Sequence, residues 1–263
     1  MSLDDSIKPF LSVVMPAYNE EATVSAIVGQ VLEISVLLEL IIVDDCSTDG
    51  TSRIIEGLAE ADPRIRYVKL QKNAGKTAAL KAGFELTVGD VVIVQDADLE
   101  YDPREIADVI APIIENRADV VYGSRFMVKK AARVLYFSHY LANKSLTFMS
   151  NMLTNLNMSD IETCYKAFRG DIIRNLVITS SGFGFEVEVT AKIAKLRCAI
   201  YEVPISYYGR TYDEGKKIGL SDGIAAVWYI IRFNLFMSLG RSFYEIPPML
   251  SSPGIKLIAE PND

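Results

Sequence analysis

The sequence predicts an α/β protein built on a mostly parallel, doubly wound sheet with helices on both faces. Three observations predict it. Apolar, largely β-branched runs recur at residues 11–15, 39–43, 90–94 and 119–123, with a more mixed one at 65–70, the pattern of strands buried on both faces. Between them lie stretches with apolar residues at helical spacing, joined by short polar connections, so strand and helix alternate. Acids also gather where strands stop: Asp44 and Asp45 after the second run, Asp96, Asp98 and Glu100 after the fourth. In an open α/β sheet the carboxyl ends of strands are where ligands bind.

Taken in order, Leu11-Ser12-Val13-Val14-Met15 reads as the first strand, ended by Pro16 because proline cannot donate to a ladder. Asn19 is placed to cap a helix that starts near Glu20 and carries Val24, Ile27, Val28, Val31 and Leu32 at helical spacing. Glu39 to Val43 is the second strand and runs into Asp44-Asp45-Cys46-Ser47-Thr48-Asp49-Gly50. A helix over 51–61 and a third strand over 65–70 follow. Asn73-Ala74-Gly75-Lys76 opens a helix to about Phe84. Lys76 reads either as an ordinary first-turn lysine or, with the free helix N–H groups, as a phosphate ligand. After the fourth strand, Asp102 and Pro103 read as N-cap and first residue of a helix reaching Asn116, with Glu105 in capping-box position.

Beyond Gly123-Ser124-Arg125 the texture changes. Residues 131–156 are rich in aromatics and methionine and nearly free of acids. They read as a helical pair, either core or a greasy surface that receives a lipid chain or lies on a bilayer. Residues 159–169 bring Asp160 and Glu162 beside a short strand. A helix over 185–196 and a strand over 199–203 come next. The loop at 207–217, with Arg210, Lys216 and Lys217 among glycine and threonine, has the makeup of a mobile lid over phosphates and equally of a surface loop. Ile224 to Leu239 is strongly apolar, but Arg232 and Asn234 interrupt it, so it is expected to lie at an interface or dock on the core rather than span a membrane. Residues 1–223 thus read as one domain in two parts, 11–123 and 124–223, divided where the texture changes. A helix at 224–243 and a loose tail at 244–263 complete the chain.

Composition removes several classes. A net charge of −7 over 263 residues argues against a general nucleic-acid binder, which needs a basic face. His139 is the single histidine, and the three cysteines, Cys46, Cys164 and Cys198, are widely spaced. That leaves little for a histidine metal site or a Ser-His-Asp triad, and it suits a reducing compartment. The first residues carry Asp4 and Asp5 and no long apolar core, so no secretory signal is expected.

Together, Val14-Met15-Pro16-Ala17-Tyr18-Asn19-Glu20, Ile42-Val43-Asp44-Asp45-Cys46-Ser47-Thr48-Asp49-Gly50-Thr51, Asn73-Ala74-Gly75-Lys76 and Gln95-Asp96-Ala97-Asp98-Leu99-Glu100-Tyr101-Asp102-Pro103 resemble the inverting family-two glycosyltransferases of GT-A fold. The dolichyl- or polyprenyl-phosphate hexose synthases are the nearest branch, and the resemblance covers roughly residues 11–217. It implies that Pro16, Ala17, Tyr18 and Glu20, with Asp44 and Asp45, form the pocket for the donor's base and ribose, and that Lys76 approaches the nucleotide. Asp96 and Asp98 resemble the D-x-D pair that meets ribose, metal and diphosphate, with Glu100 as a further ligand of Mg²⁺ or Mn²⁺. Arg125 and Arg210 resemble the arginines that hold the acceptor phosphate and close over the diphosphate, with Arg133 and Lys216 as weaker candidates. No Gln-x-x-Arg-Trp run occurs, which argues against a processive polymerase.

The resemblance implies a nucleotide diphosphosugar donor, a polyprenyl or dolichyl phosphate acceptor and a protein peripheral on the cytoplasmic face of a membrane. A lipid phosphate is already ionised and needs positioning more than deprotonation. A lipid or sugar hydroxyl would need a general base, for which Asp160 is the first choice and Glu186 the second; Asp160 may equally organise the acceptor loop. A sugar-nucleotide nucleotidyltransferase and a non-catalytic nucleotide-sugar-binding module are the other readings; a nucleotidyltransferase would favour a glycine-rich basic loop where Pro16-Ala17-Tyr18-Asn19-Glu20 stands.

Overall fold

A computed structural model describes residues 8–127, 136–209 and 220–247. The first part of the chain runs β1 (Leu11–Ala17), α1 (Val24–Leu32), β2 (Leu37–Asp44), α2 (Thr51–Ala61), β3 (Ile65–Lys69), α3 (Lys76–Phe84) and β4 (Val91–Val94). A 3-10 turn at Pro103–Glu105 leads into α4 (Ile106–Ile114) and β5 (Val120–Ser124). The rest comprises α5 (Phe137–Thr154), β6 (Lys166–Arg169), α6 (Gly170–Asn175), α7 (Phe185–Leu196), β7 (Ile200–Pro204) and α8 (Leu220–Leu235). The strands form one sheet in the order β3-β2-β1-β4-β6-β5-β7.

All neighbours pair in parallel except β6, which runs antiparallel to both β4 and β5. This reversal positions the site. Because β6 runs the other way, its amino end, with Lys166 opposite Tyr122, lies at the rim where the parallel strands have their carboxyl ends. The loop holding Asp160 therefore reaches the same edge as Asp44 and Asp96.

Side-chain alternation along β2 shows that both faces are covered. Leu40 and Ile42 belong to the large core with Ile27, Val28 and Ile55, whereas Ile41 and Val43 pack on Ala79 of α3 with Val68 and Ala82. Burial on both sides accounts for the continuous apolar runs.

Three local expectations are corrected. Pro16 does not end β1, which pairs with β2 through Ala17. Pairing with β4 stops at Val14 and Val94, so by the alternation of the ladder the Pro16 nitrogen faces a side where no partner needs its hydrogen. Asn19 does not cap α1: it adopts the left-handed region at φ 52°, which asparagine tolerates, and its Oδ1 accepts from Thr48 N at 2.8 Å. Chain turns at 20–23 intervene before the helix, where Thr23 N and Val24 N donate to Glu20 O. Asp102 caps as expected, accepting from Arg104 N, but Glu105 does not close a capping box. Its carboxylate accepts from Ser206 N at 2.7 Å and Ser206 Oγ at 2.8 Å, which ties the loop after β7 to the acid rim.

Of the helical pair expected at 131–156, the described part is α5, and its polarity is inverted. Its buried residues are Thr147 and Ser150, while Phe137, Leu141, Phe148 and Met152 are exposed at 74, 53, 64 and 67%. Their spacing of four and seven residues makes one stripe. α8 packs against α7 and α5 through Ala226, Ile230 and Phe233, leaving Ile224, Trp228, Leu235 and Phe236 outside. It is thus a docking helix with a second apolar outer face. Among the described residues no helix is long and apolar enough to cross a membrane. The helix expected over 224–243 stops at Leu235; Val177 N donates to Ser242 O, Leu176 bridges Phe243, and Tyr244, the first residue of the expected tail, is built into the fold by donating its N–H to Asn175 O.

Candidate active site

The first acids of the rim shape the chain around them. Asp44 is fully buried. One of its oxygens accepts from Ser47 N at 2.9 Å and Ser47 Oγ at 2.5 Å, the other from Ser52 Oγ and from Tyr67 OH at 3.3 Å. Asp45 accepts from Ala74 N at 2.7 Å and Gly75 N at 2.8 Å, one bond to each oxygen. Gly75 sits at φ 87°, and a Cβ there would stand 2.9 Å from Gly182 Cα, so glycine is required by conformation and by space. The turn leading into α3 is thereby fixed from two sides. Half-buried Pro16 and Tyr18 and buried Ala17 and Glu20 lie at the end of β1 beside this loop. Glu20 N donates to Thr51 Oγ1, and its Oε2 accepts from Thr23 Oγ1. A cavity of about 540 Å³, lined by Leu70, Gln71, Lys72, Ala74 and Ala78, opens on the flank of this turn.

At the centre stands Lys76, the first residue of α3. Its Nζ lies 2.9 Å from Asp96 Oδ1 and 3.3 Å from Glu186 Oε1. Burial pulls this amine down, but Asp96, Cys164 and Glu186 outweigh it and hold it well above the usual lysine range. Lys76 is therefore a permanent cation joining the fourth strand's loop to the start of α7, not an ordinary exposed lysine. Thr77 N donates to Gly182 O at 3.0 Å and Phe185 N to Thr77 Oγ1 at 3.1 Å, so the amino ends of α3 and α7 are bonded together. Asp98 Oδ1 accepts from Glu100 N, and Glu100 Oε2 accepts from Tyr207 OH at 2.8 Å.

These carboxylates suit a hard divalent cation, which takes oxygen ligands. Among the described residues no group of three or more histidine, cysteine, aspartate or glutamate side chains converges as a metal site. That fits the habit of Mg²⁺, which is commonly held by one or two carboxylates and completed by substrate phosphates and water. Asp96 and Asp98 are the candidates for those two positions, with Glu100 turned towards Tyr207.

On the acceptor side, Arg125 grips Asp160: Nε lies 2.7 Å from Oδ2, Nη2 is 2.8 Å from Oδ1, and the Arg125 N–H adds a third bond. Burial would raise the Asp160 carboxyl, yet Arg125 overrides it and holds the group below its ordinary range. Arg125 also lies over the rings of Phe126 and Tyr207, at 5.7 and 5.2 Å. Phe126 in turn meets Tyr140 of α5 edge-on and carries Lys144 Nζ 4.5 Å from its ring centre, so α5 reaches the residue next to this arginine. Arg133, Arg210 and Lys216 lie outside the described residues.

Sequence reasoning missed several supporting groups. Glu202 of β7 accepts from Ser159 N, Ser159 Oγ and Asp160 N and holds the acceptor loop in place. Gln95 accepts from Tyr165 OH at 2.6 Å, and Tyr101 packs between Tyr165 and Tyr207 with ring centres 4.9 and 5.3 Å away. Lys166 is fully buried, donates to Thr163 O and lies 4.9 Å from the Tyr122 ring centre. Burial, reinforced by Glu186, pushes the Glu162 carboxyl up to about 7; burial pulls the Lys166 amine down against the opposing pull of Glu186 and Glu162. Glu162 was visible only as an acid next to Asp160, and nothing local marks Glu202.

Comparison with known proteins agrees with this geometry. The family model described as "Glycosyl transferase family 2" matches residues 12–177. The chain is 30% identical to the undecaprenyl-phosphate mannosyltransferase of Micrococcus luteus, over 81% of this chain and 90% of the relative. It is 29% identical to the polyprenol monophosphomannose synthase of Mycolicibacterium smegmatis, covering 79 and 80%, and 27% identical to the dodecaprenyl-phosphate galacturonate synthase of Rhizobium johnstonii, covering 86 and 67%. Among solved structures, glucosyl-3-phosphoglycerate synthase from Mycobacterium tuberculosis, in complex with Mn²⁺, UDP and phosphoglyceric acid, superimposes with a TM-score of 0.65 at 20% identity, covering 88% of this chain and 81% of that one. The likeness of fold matches the mostly parallel seven-stranded sheet, and the chain belongs to glycosyl transferase family 2.

Proposed function

We propose that this glycosyltransferase moves a hexose, with inversion, from a UDP- or GDP-sugar to a polyprenyl phosphate, working peripherally at the cytoplasmic face of a membrane. The observation that carries the reading is the placement of α5. Its Tyr140 and Lys144 touch Phe126 beside Arg125, and its stripe of Phe137, Leu141, Phe148 and Met152 is exposed. A lipid phosphate needs both features together: an apolar surface for the chain and a cation for the headgroup. The named substrates of the polyprenyl-phosphate relatives support the same acceptor.

In this reading Asp96 and Asp98, with Glu100 as a further ligand, hold Mg²⁺ or Mn²⁺, which supplies Lewis-acid neutralisation of the departing nucleotide diphosphate. Pro16, Ala17, Tyr18 and Glu20, on the loop organised by Asp44 and Asp45, bound the base and ribose. Lys76 adds a fixed positive charge facing the diphosphate. A phosphate oxygen of the acceptor attacks the anomeric carbon as the bond to the donor diphosphate breaks, and no proton needs removal. Asp160 is accordingly free to serve as the anchor of Arg125, since a carboxylate held low and gripped at both oxygens is a poor general base. Arg210 and Lys216 are the further phosphate-binding cations of this reading.

Purified protein, Mn²⁺, labelled UDP- and GDP-sugars and a polyprenyl phosphate test this directly. A lipid product that releases its sugar in mild acid supports the reading. An acid-resistant glycoside would move the acceptor to a hydroxyl, and no transfer to any lipid phosphate would overturn it.

A further inference from the structure

Behind the Lys76 bridge lies a group of buried oxygens that nothing among the described residues satisfies. Glu162 Oε1, Thr163 Oγ1 and Glu186 Oε2 are shielded from solvent and have no hydrogen-bond partner, although Glu186 is only 6% exposed and Thr163 is fully buried. Native proteins rarely leave such atoms unpaired, because each has given up its bonds to water for nothing in return. Glu162 and Glu186 meet electrostatically at Lys166, with Thr163 next to Glu162 in the chain, and together these atoms mark a place built to receive donors from outside the chain.

The identity of those donors follows from charge and position. Glu186 shares Lys76 with Asp96, so its second oxygen lies one side chain away from the loop assigned to the diphosphate. The group covalently attached to that diphosphate is the sugar. Arg125 is matched by Asp160, and Lys76 by Asp96. Glu162 and Glu186 then face Lys166, which the Thr163 carbonyl and the Tyr122 ring already hold. Sugar hydroxyls donate to carboxylate oxygens, whereas another carboxylate would bring only acceptors and more negative charge.

We infer that Glu162 and Glu186 wall the pocket for the transferred sugar and select a neutral, hydroxyl-bearing hexose against a uronate. This rests on the proposed donor reading and deepens it.

Calorimetric titration with Mn²⁺ present tests the assignment, using UDP and GDP alone, their neutral hexose derivatives and UDP-glucuronate or UDP-galacturonate. Wild-type protein is expected to bind the neutral sugar nucleotide at least tenfold more tightly than the uronate. Glu162→Gln, checked by thermal melting for an intact fold, should bind the free nucleotide within twofold of wild type while that ratio falls at least fivefold; Glu186→Gln, which also releases one partner of Lys76, is read by the ratio alone. An unchanged ratio with nucleotide binding intact overturns the assignment alone. Failure of every nucleotide to bind the wild type overturns the donor reading and the assignment with it.

Discussion

Arg125 and Asp160, 35 residues apart in the chain, meet as a closed two-point ion pair at the rim of the sheet, with N–O distances of 2.7 and 2.8 Å. Asp160 is fully buried, and the Arg125 side chain is 9% exposed. Removing one partner leaves the other charged and desolvated. Asp160→Ala should therefore cost about 3–5 kcal/mol of stability, read by urea unfolding. The carboxyl is held below its ordinary value of 3.8, so its stabilisation is present above that value and is lost as pH falls below it. Asp160→Asn should flatten the acid limb of the stability curve below about pH 4.

Glu162 gives the opposite sign. Its folded-state carboxyl titrates at about 7 rather than 4.5, so the unfolded chain ionises first and stability declines as pH rises between those values. Glu162→Gln should remove roughly 1–3 kcal/mol of that decline. Unfolding curves at pH 5 and pH 8 check it: the variant gains on the wild type only at the higher pH.

Asp98 is 8% exposed on the loop after β4 and is assigned to the metal and diphosphate. Asp98→Ala should abolish transfer, and it should remove the additional rise in melting temperature that Mn²⁺ gives in the presence of a nucleoside diphosphate. A metal-stimulated shift that survives the substitution removes Asp98 from the ligand set.

Phe148 and Trp228 are 64 and 57% exposed on α5 and α8. Phe148→Glu with Trp228→Glu should reduce co-sedimentation with anionic lipid vesicles at least tenfold. Unfolding should shift by no more than about 1 kcal/mol, because surface substitutions away from special features change little. Equal sedimentation of variant and wild type counts against this face as the membrane contact.

Gly75→Ala tests the turn into α3. With φ at 87° and Gly182 Cα within 2.9 Å of the added carbon, a loss of about 1–3 kcal/mol is expected, read by thermal unfolding alongside nucleotide affinity.

Much of this was legible in the chain because sheet and rim have local signatures. A β-branched run followed by Asp44-Asp45, or by Asp96-x-Asp98, states both the strand and the chemistry at its end. The direction of β6 has no such signature: four residues, Lys166–Arg169, look alike read forwards or backwards, and only the pairing with β4 and β5 reveals the reversal. Partnerships across the fold were hidden for the same reason. Glu105 with Ser206 and Glu202 with Ser159 are 101 and 43 residues apart, and spacing carries no trace of them. Asn19 shows the complementary error, where local capping preference was overridden by a tertiary bond to Thr48.

The double hold of Asp45 on Ala74 and Gly75 fixes the backbone leading into α3 by bonds made within the chain. A nucleotide entering this rim loses its own freedom without having to freeze the protein's. The heat-capacity change on titrating in free diphosphate should then be small and set by the base it buries, with no contribution from ordering of the 73–76 segment.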